Sequence, residues 1–148
     1  MARTFEVKPG IRSRVPVWVG LCGPSGGGKT LSALRLADGF TRVVGGKVGV
    51  VDTEADRSLH YAPKTGEKAT PPKTFTFEHL SFGAPFSSSD YADAIRQLVA
   101  RGCTTVVVDS LSHEHESIGG VLEQFEEEVE RMSKGDPARA ERQLVIHR

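Results

Sequence analysis

Cysteine is scarce in this sequence: Cys22 and Cys103 are the only two among 148 residues. Two thiols make no disulfide framework, so a packed core must hold the fold, and the cytoplasm is the expected compartment. Both cysteines stand at the ends of apolar runs, where a small buried thiol is the ordinary explanation. Net charge is missing as well, since 19 Lys and Arg balance 19 Asp and Glu. That balance gives no global argument for nucleic acid, although a neutral total leaves room for a local basic patch. No apolar run approaches the ~18 residues of a membrane span, and the N-terminus lacks the apolar core of a signal peptide. Arg3, Lys8, Arg12 and Arg14 make the first segment basic, but Glu6, Pro9 and Pro16 break a transit-peptide pattern. Internal repeats, heptads and low-complexity tracts are absent too. What is present is 38% hydrophobic and 26% charged, the composition of an ordinary globular chain. One domain over 1–148 is expected, with 1–14 as an N-terminal arm.

The most informative stretch is Gly23-Pro24-Ser25-Gly26-Gly27-Gly28-Lys29-Thr30, which fits G-x-x-x-x-G-K-[ST] at every fixed position. Its context matters as much as its letters. Upstream, Val15 to Cys22 (VPVWVGLC) reads as a buried strand. Downstream, Leu31, Leu34, Ala37 and Phe40 recur at helical spacing, in a unit ending near Gly39. Strand, glycine loop and helix together are what this pattern needs, and an ordinary glycine-rich turn needs neither flank. Glycines let consecutive N–H groups turn around a phosphate, and a helix N-terminus adds partial positive charge. Lys29 reaches the β- and γ-phosphates, and the Thr30 hydroxyl is a magnesium ligand. A nucleoside triphosphate is the expected ligand.

Farther along, Thr4 to Val7 reads as a short strand and Lys47 to Asp52 (KVGVVD) as a buried one ending in an acid. Residues 55–73, rich in Pro, Gly and Lys, read as a long exposed polar loop. Thr74 to Leu80 alternates like a strand. Ser87 and Asp90 have capping-box spacing before a helix with Tyr91, Ile95, Leu98 and Val99 on one face and Gly102 as its stop. Thr104 to Asp109 (TTVVVD) is the clearest buried strand, followed by the polar loop SLSHEHES. After Gly119-Gly120 comes a helix with Val121 or Leu122, Phe125, Val129 and Met132 inward and Glu126, Glu127, Glu128 and Glu130 toward water. Asp136-Pro137 opens a last helix, and Gln143 to His147 continues it or begins a strand. Strands alternating with helices predict an α/β class with a mostly parallel sheet. Ligands in such sheets sit beyond the carboxyl ends of the strands, which gathers the residues after Cys22, Asp52 and Asp109 at one crevice.

Asp109 then reads as a Walker B carboxylate, accepting a hydrogen bond from Thr30 or from magnesium-bound water. A strand-terminal Asp that merely caps its loop is the bland alternative. Glu54, in Asp52-Thr53-Glu54, is a candidate base or water-positioning group, against a solvated loop carboxylate. His113 and His115 form a weak metal pattern without a third ligand, and His60 and Tyr61 have no assignable role.

GPSGGGKT, VVDTE and VVVDSLS, in that order, resemble the RecA-like ATPases. More narrowly, the opening FEVKPGIRSRVPVWVGLCGPSGGGKTLSALRLADGF, with DTEADRSLHYA and DSLSHEHES, looks like a phage ATPase group of AAA-type nucleotide-binding proteins that includes RecA-like single-strand annealing proteins, a likeness that covers most of residues 5 to 122. The resemblance implies a P-loop NTPase sandwich with ATP and Mg2+ as ligands, phosphate binding by Gly23, Pro24, Ser25, Gly26, Gly27, Gly28, Lys29 and Thr30, magnesium at Thr30 and Asp109, and Glu54 as base. It also implies single-stranded DNA as a partner and an active site between protomers, hence a homo-oligomer or a partner protein. RecA-like cores have more strands than the four readable here, so a truncated, minimal or partner-completed domain is expected. A small-molecule kinase, with Arg139, Arg142 and Arg148 as a lid, and a nucleotide-dependent binding module are the other two readings.

Overall fold

The computed structural model describes residues 6–11 and 15–133. Its centre is a parallel sheet of three strands in the order β2-β1-β3, where β1 is Lys47–Asp52, β2 is Glu78–Ser81 and β3 is Cys103–Asp109. Helix α1 (Lys29–Val44) precedes β1 and α2 (Ser88–Ala100) precedes β3, while α3 (Ser112–Glu116) and α4 (Val121–Ser133) follow. The period-2 pleat of β1 explains the layering. Val48 and Val50 point to one face, where they meet Leu34 and Ala37 of α1, Phe75 and Val107. Val51 points to the other and packs with Tyr91, Ala94 and Leu98 of α2 and with Cys103. Burial on both faces is why β1 reads as an unbroken apolar run. Gly49 serves this arrangement: a Cβ there would come within 3.0 Å of Leu98 Cδ1 and Cys103 Sγ. Its missing side chain lets α2 lie close to the sheet.

Several sequence expectations need correction. Val15 to Cys22 is not a strand: it joins no ladder, Val17 and Trp18 are 76% and 88% exposed, and Cys22 is exposed as well. The run has strand composition, but Pro16 has no N–H to give a ladder, and composition alone supplies no neighbour. Helix α1 runs past Gly39 to Val44, and its stop is Gly45. An interior Gly costs about 1 kcal/mol relative to Ala, too little to break a helix whose Leu34 and Ala37 are buried. The inward stripe continues to the half-buried Thr41, whose hydroxyl donates to Ala37 O (3.0 Å), while Phe40 is exposed. Residues 55–73 are not wholly exposed, because Arg57–Tyr61 forms a 3-10 helix with Ser58 fully buried.

The strand expected from Thr74 begins at Glu78. Phe75 instead anchors the α1 side of the core, with its N–H on Tyr61 O (2.8 Å). Ser87 caps α2 as expected, accepting from the Asp90 N–H (3.2 Å), but Val99 faces solvent and Ala94 takes its place in the buried stripe. The loop after Asp109 contains the short helix α3. On α4, Val129 is buried, Leu122 and Met132 are exposed, and the glutamates face water. Glu6 and Val7 lie in no strand. The expected helix from Asp136, Gln143 to His147, and the lid arginines lie outside the described residues. Among the described residues no helix is long and apolar enough to cross a membrane.

Candidate functional site

Parallel pairing brings the carboxyl ends of all three strands to one side of the sheet, with Asp52 opposite both Ser81 and Asp109. The loop from Gly23 to Thr30 meets that side at Thr30. Thr30 Oγ1 donates to Asp109 Oδ2 at 2.6 Å, joining the first turn of α1 to the end of β3. A hydroxyl-to-carboxylate bond of this length is charge-assisted, and stronger than a neutral one. The loop is shaped by Gly26 (φ 75°) and Gly28 (φ 79°), both in the left-handed region that favours glycine. Lys29 Nζ donates to Gly23 O and Pro24 O, each at 2.9 Å, so the ammonium closes the loop upon itself. No acidic residue occupies the first turn of α1, and the leading N–H groups of a helix have no intrahelical acceptor. Lysine, glycine loop and helix end form a donor set that fits phosphate oxygens.

The turn after β1 is organised by Asp52, which is 1% exposed. Its Oδ1 accepts the Glu54 N–H and its Oδ2 the Ser58 N–H, both at 2.8 Å. Burial opposes its charge, but hydrogen bonds from Ser58 and Glu54, with His79 nearby, outweigh it and hold the carboxyl below its ordinary value. Glu54 thereby projects from a fixed backbone. Its side chain is 30% exposed, and Oε2 lies 3.3 Å from Arg57 NH1.

Because folding lowers the Asp52 pKa, its contribution to stability is full above the unfolded value and is lost as pH falls through the folded one. We expect the melting temperature of the parent to drop steeply below about pH 4. Asp52→Asn should be less stable at pH 6 and flatter below pH 4, as read by circular dichroism. Parallel curves for the two proteins would remove Asp52 from the acid transition.

Thr53, 6% exposed, ties this turn to the residues after β3. Its N–H donates to Asp109 O (2.8 Å), and its hydroxyl accepts from Ser110 N (3.0 Å) and donates to Ser110 O (3.1 Å). Tyr91 OH also donates to Ser110 O (3.0 Å), and His113 Nδ1 lies 3.0 Å from the Thr53 hydroxyl. Burial lifts the Tyr91 phenol above its ordinary value, keeping it protonated and able to donate.

Thr30, Asp109 and the loop are therefore assembled at the strand ends, and Glu54 follows the adjacent strand. Sequence reasoning put Asp52 at a strand end beside the crevice but gave no role to it, to Thr53 or to Tyr91. The only signals were an acid ending an apolar strand, a Thr between two acids, and an aromatic at helical spacing. Tyr61 packs against the α1 side of the core, and His60 and His115 are exposed. Among the described residues no group of three or more His, Cys, Asp or Glu side chains is placed to hold a metal ion. One carboxylate and one hydroxyl are still a sufficient protein share for magnesium, which keeps waters and takes other ligands from bound phosphates. Two shallow grooves of about 310 and 390 Å³ run beside α1 and residues 69–78, away from this crevice.

No family model, curated protein or solved structure matches the chain.

Proposed function

We propose that this chain binds ATP with magnesium at Gly23–Thr30 and hydrolyses it, as a RecA-like P-loop ATPase serving single-strand annealing or recombination of DNA. The observation that carries the reading is the 2.6 Å bond from Thr30 to Asp109, which puts a glycine loop and a lysine beside a strand-end carboxylate. In this reading backbone N–H groups of the loop hold the phosphates, with the Lys29 charge added. Thr30 and Asp109 would hold a magnesium ion, which would offset negative charge on phosphate oxygens. Glu54 accepts a proton from, or orients, the attacking water. The DNA role rests on resemblance of GPSGGGKT, DTE and DSLS, as does self-association across the site.

The test is phosphate release by the full chain with and without magnesium and single-stranded DNA, beside Asp109→Asn. Magnesium-dependent release, stimulated by DNA and weakened together with nucleotide affinity in the Asn protein, is expected. Tight binding with no release would favour a nucleotide-dependent binding module. Phosphorylation of a metabolite would point to a kinase.

A further inference from the structure

The hydroxyl of Thr53 is the one group that touches the residue after Asp109 while sitting immediately before Glu54. A hydroxyl has one hydrogen and two lone pairs. Ser110 takes the hydrogen through its carbonyl (3.1 Å) and one lone pair through its N–H (3.0 Å). The remaining lone pair is left for His113 Nδ1 at 3.0 Å, since Tyr91 OH is farther, at 3.5 Å, and has its own acceptor in Ser110 O. In this arrangement Nδ1 carries the imidazole hydrogen and donates it to Thr53. The ring cannot swing freely, because it stacks on Phe86 with centroids 4.9 Å apart and planes inclined by 25°.

We infer that His113 is a positioning residue for hydrolysis, locking through Thr53 the backbone that carries Glu54 to the backbone that carries Asp109. This rests on the hydrolysis reading above. The two carboxylates have different tasks in that reading, one on the water and one on the ion, and the reaction needs their separation held closely. Thr53 supplies the tie through its N–H to Asp109 O and its hydroxyl to Ser110. His113 completes the hydroxyl's bonding and fixes its direction. The histidine touches neither nucleotide nor water in this account; it acts through Thr53.

Two substitutions separate the ring from its nitrogen. His113→Phe keeps the stack on Phe86 and removes the donor, whereas His113→Asn removes the ring and returns an amide to the place of Nδ1. The full chain is assayed for ATP turnover, nucleotide affinity and melting temperature. His113→Phe should lower kcat by ~10- to 100-fold with affinity within about 2-fold and an unchanged melting temperature. His113→Asn should recover most of that loss. In a Glu54→Gln background, His113→Phe should cost less than about 2-fold more, because residues acting through one group are not additive. Full activity in the Phe protein, no recovery in the Asn protein, or full additivity with Glu54→Gln would overturn the inference. A parent without turnover, or a Glu54→Gln protein at the parent rate, would instead overturn the hydrolysis reading and this inference with it.

Discussion

Glu54→Gln is expected to lower kcat for ATP hydrolysis by ~10²–10⁴-fold while nucleotide affinity stays within a few-fold. A base acts on water in the transition state and contributes little to the bound ground state, so the loss should fall on turnover. The substitution is conservative for the fold. The Glu54 N–H, which Asp52 holds at 2.8 Å, belongs to the backbone and is untouched. The lost ion pair with Arg57 is a partly exposed one at 3.3 Å, a class worth about 0–1 kcal/mol. The melting temperature should therefore hardly move. Rapid-quench turnover together with equilibrium binding of a fluorescent ATP analogue is the measurement. Parent-rate hydrolysis by the Gln protein would make the carboxylate a bystander.

Lys29→Ala is expected to weaken ATP affinity by at least ~10²-fold, about 2.7 kcal/mol, with the far-UV circular dichroism unchanged. The ammonium is the charged donor of the loop, and charged hydrogen bonds contribute about 1.5–3 kcal/mol each. Its present partners are the carbonyls of Gly23 and Pro24, both in exposed loop residues that water can satisfy. Losing them should cost the fold little. Affinity and the spectrum must be read together, because an unfolded variant also fails to bind. Unchanged affinity in a folded Ala protein would move the nucleotide away from this loop.

How far the sequence speaks for the structure depends on whether a feature is local. Lys47–Asp52 was legible because a strand buried on both faces must be apolar throughout. Thr104 to Asp109 was legible as a strand but not as the best buried one, since β3 is a sheet edge with only Cys103 and Val107 buried. Val15 to Cys22 has the same composition and stands in no ladder, since apolar letters state a preference for burial and never name the neighbour. The glycine loop is local, and its turn into a helix was legible: Gly26 and Gly28 take positive φ and α1 starts at Lys29. Its meeting with Asp109 followed from the side of the sheet on which parallel strands end. The Thr53 tie was not readable. It gathers Tyr91 of α2 with Ser110 and His113 of the segment after β3, and only the packed α2 and α3 bring them to Thr53. Phe75 was misplaced for a related reason: its alternation with Phe77 resembles a strand, while its burial comes from α1 and the turn at Tyr61.

The exposed segment before the glycine loop has an optical consequence. Trp18 is the only tryptophan in the sequence, and it stands 88% exposed. The intrinsic indole fluorescence of this protein is thus the signal of a single short stretch, unmixed with the core. While the stretch is in water its emission is red-shifted and open to quenching by iodide. A protein surface that covers it should announce itself as a blue shift, a stacked nucleic acid base as a fall in intensity, and either as a loss of iodide quenching, with no label attached.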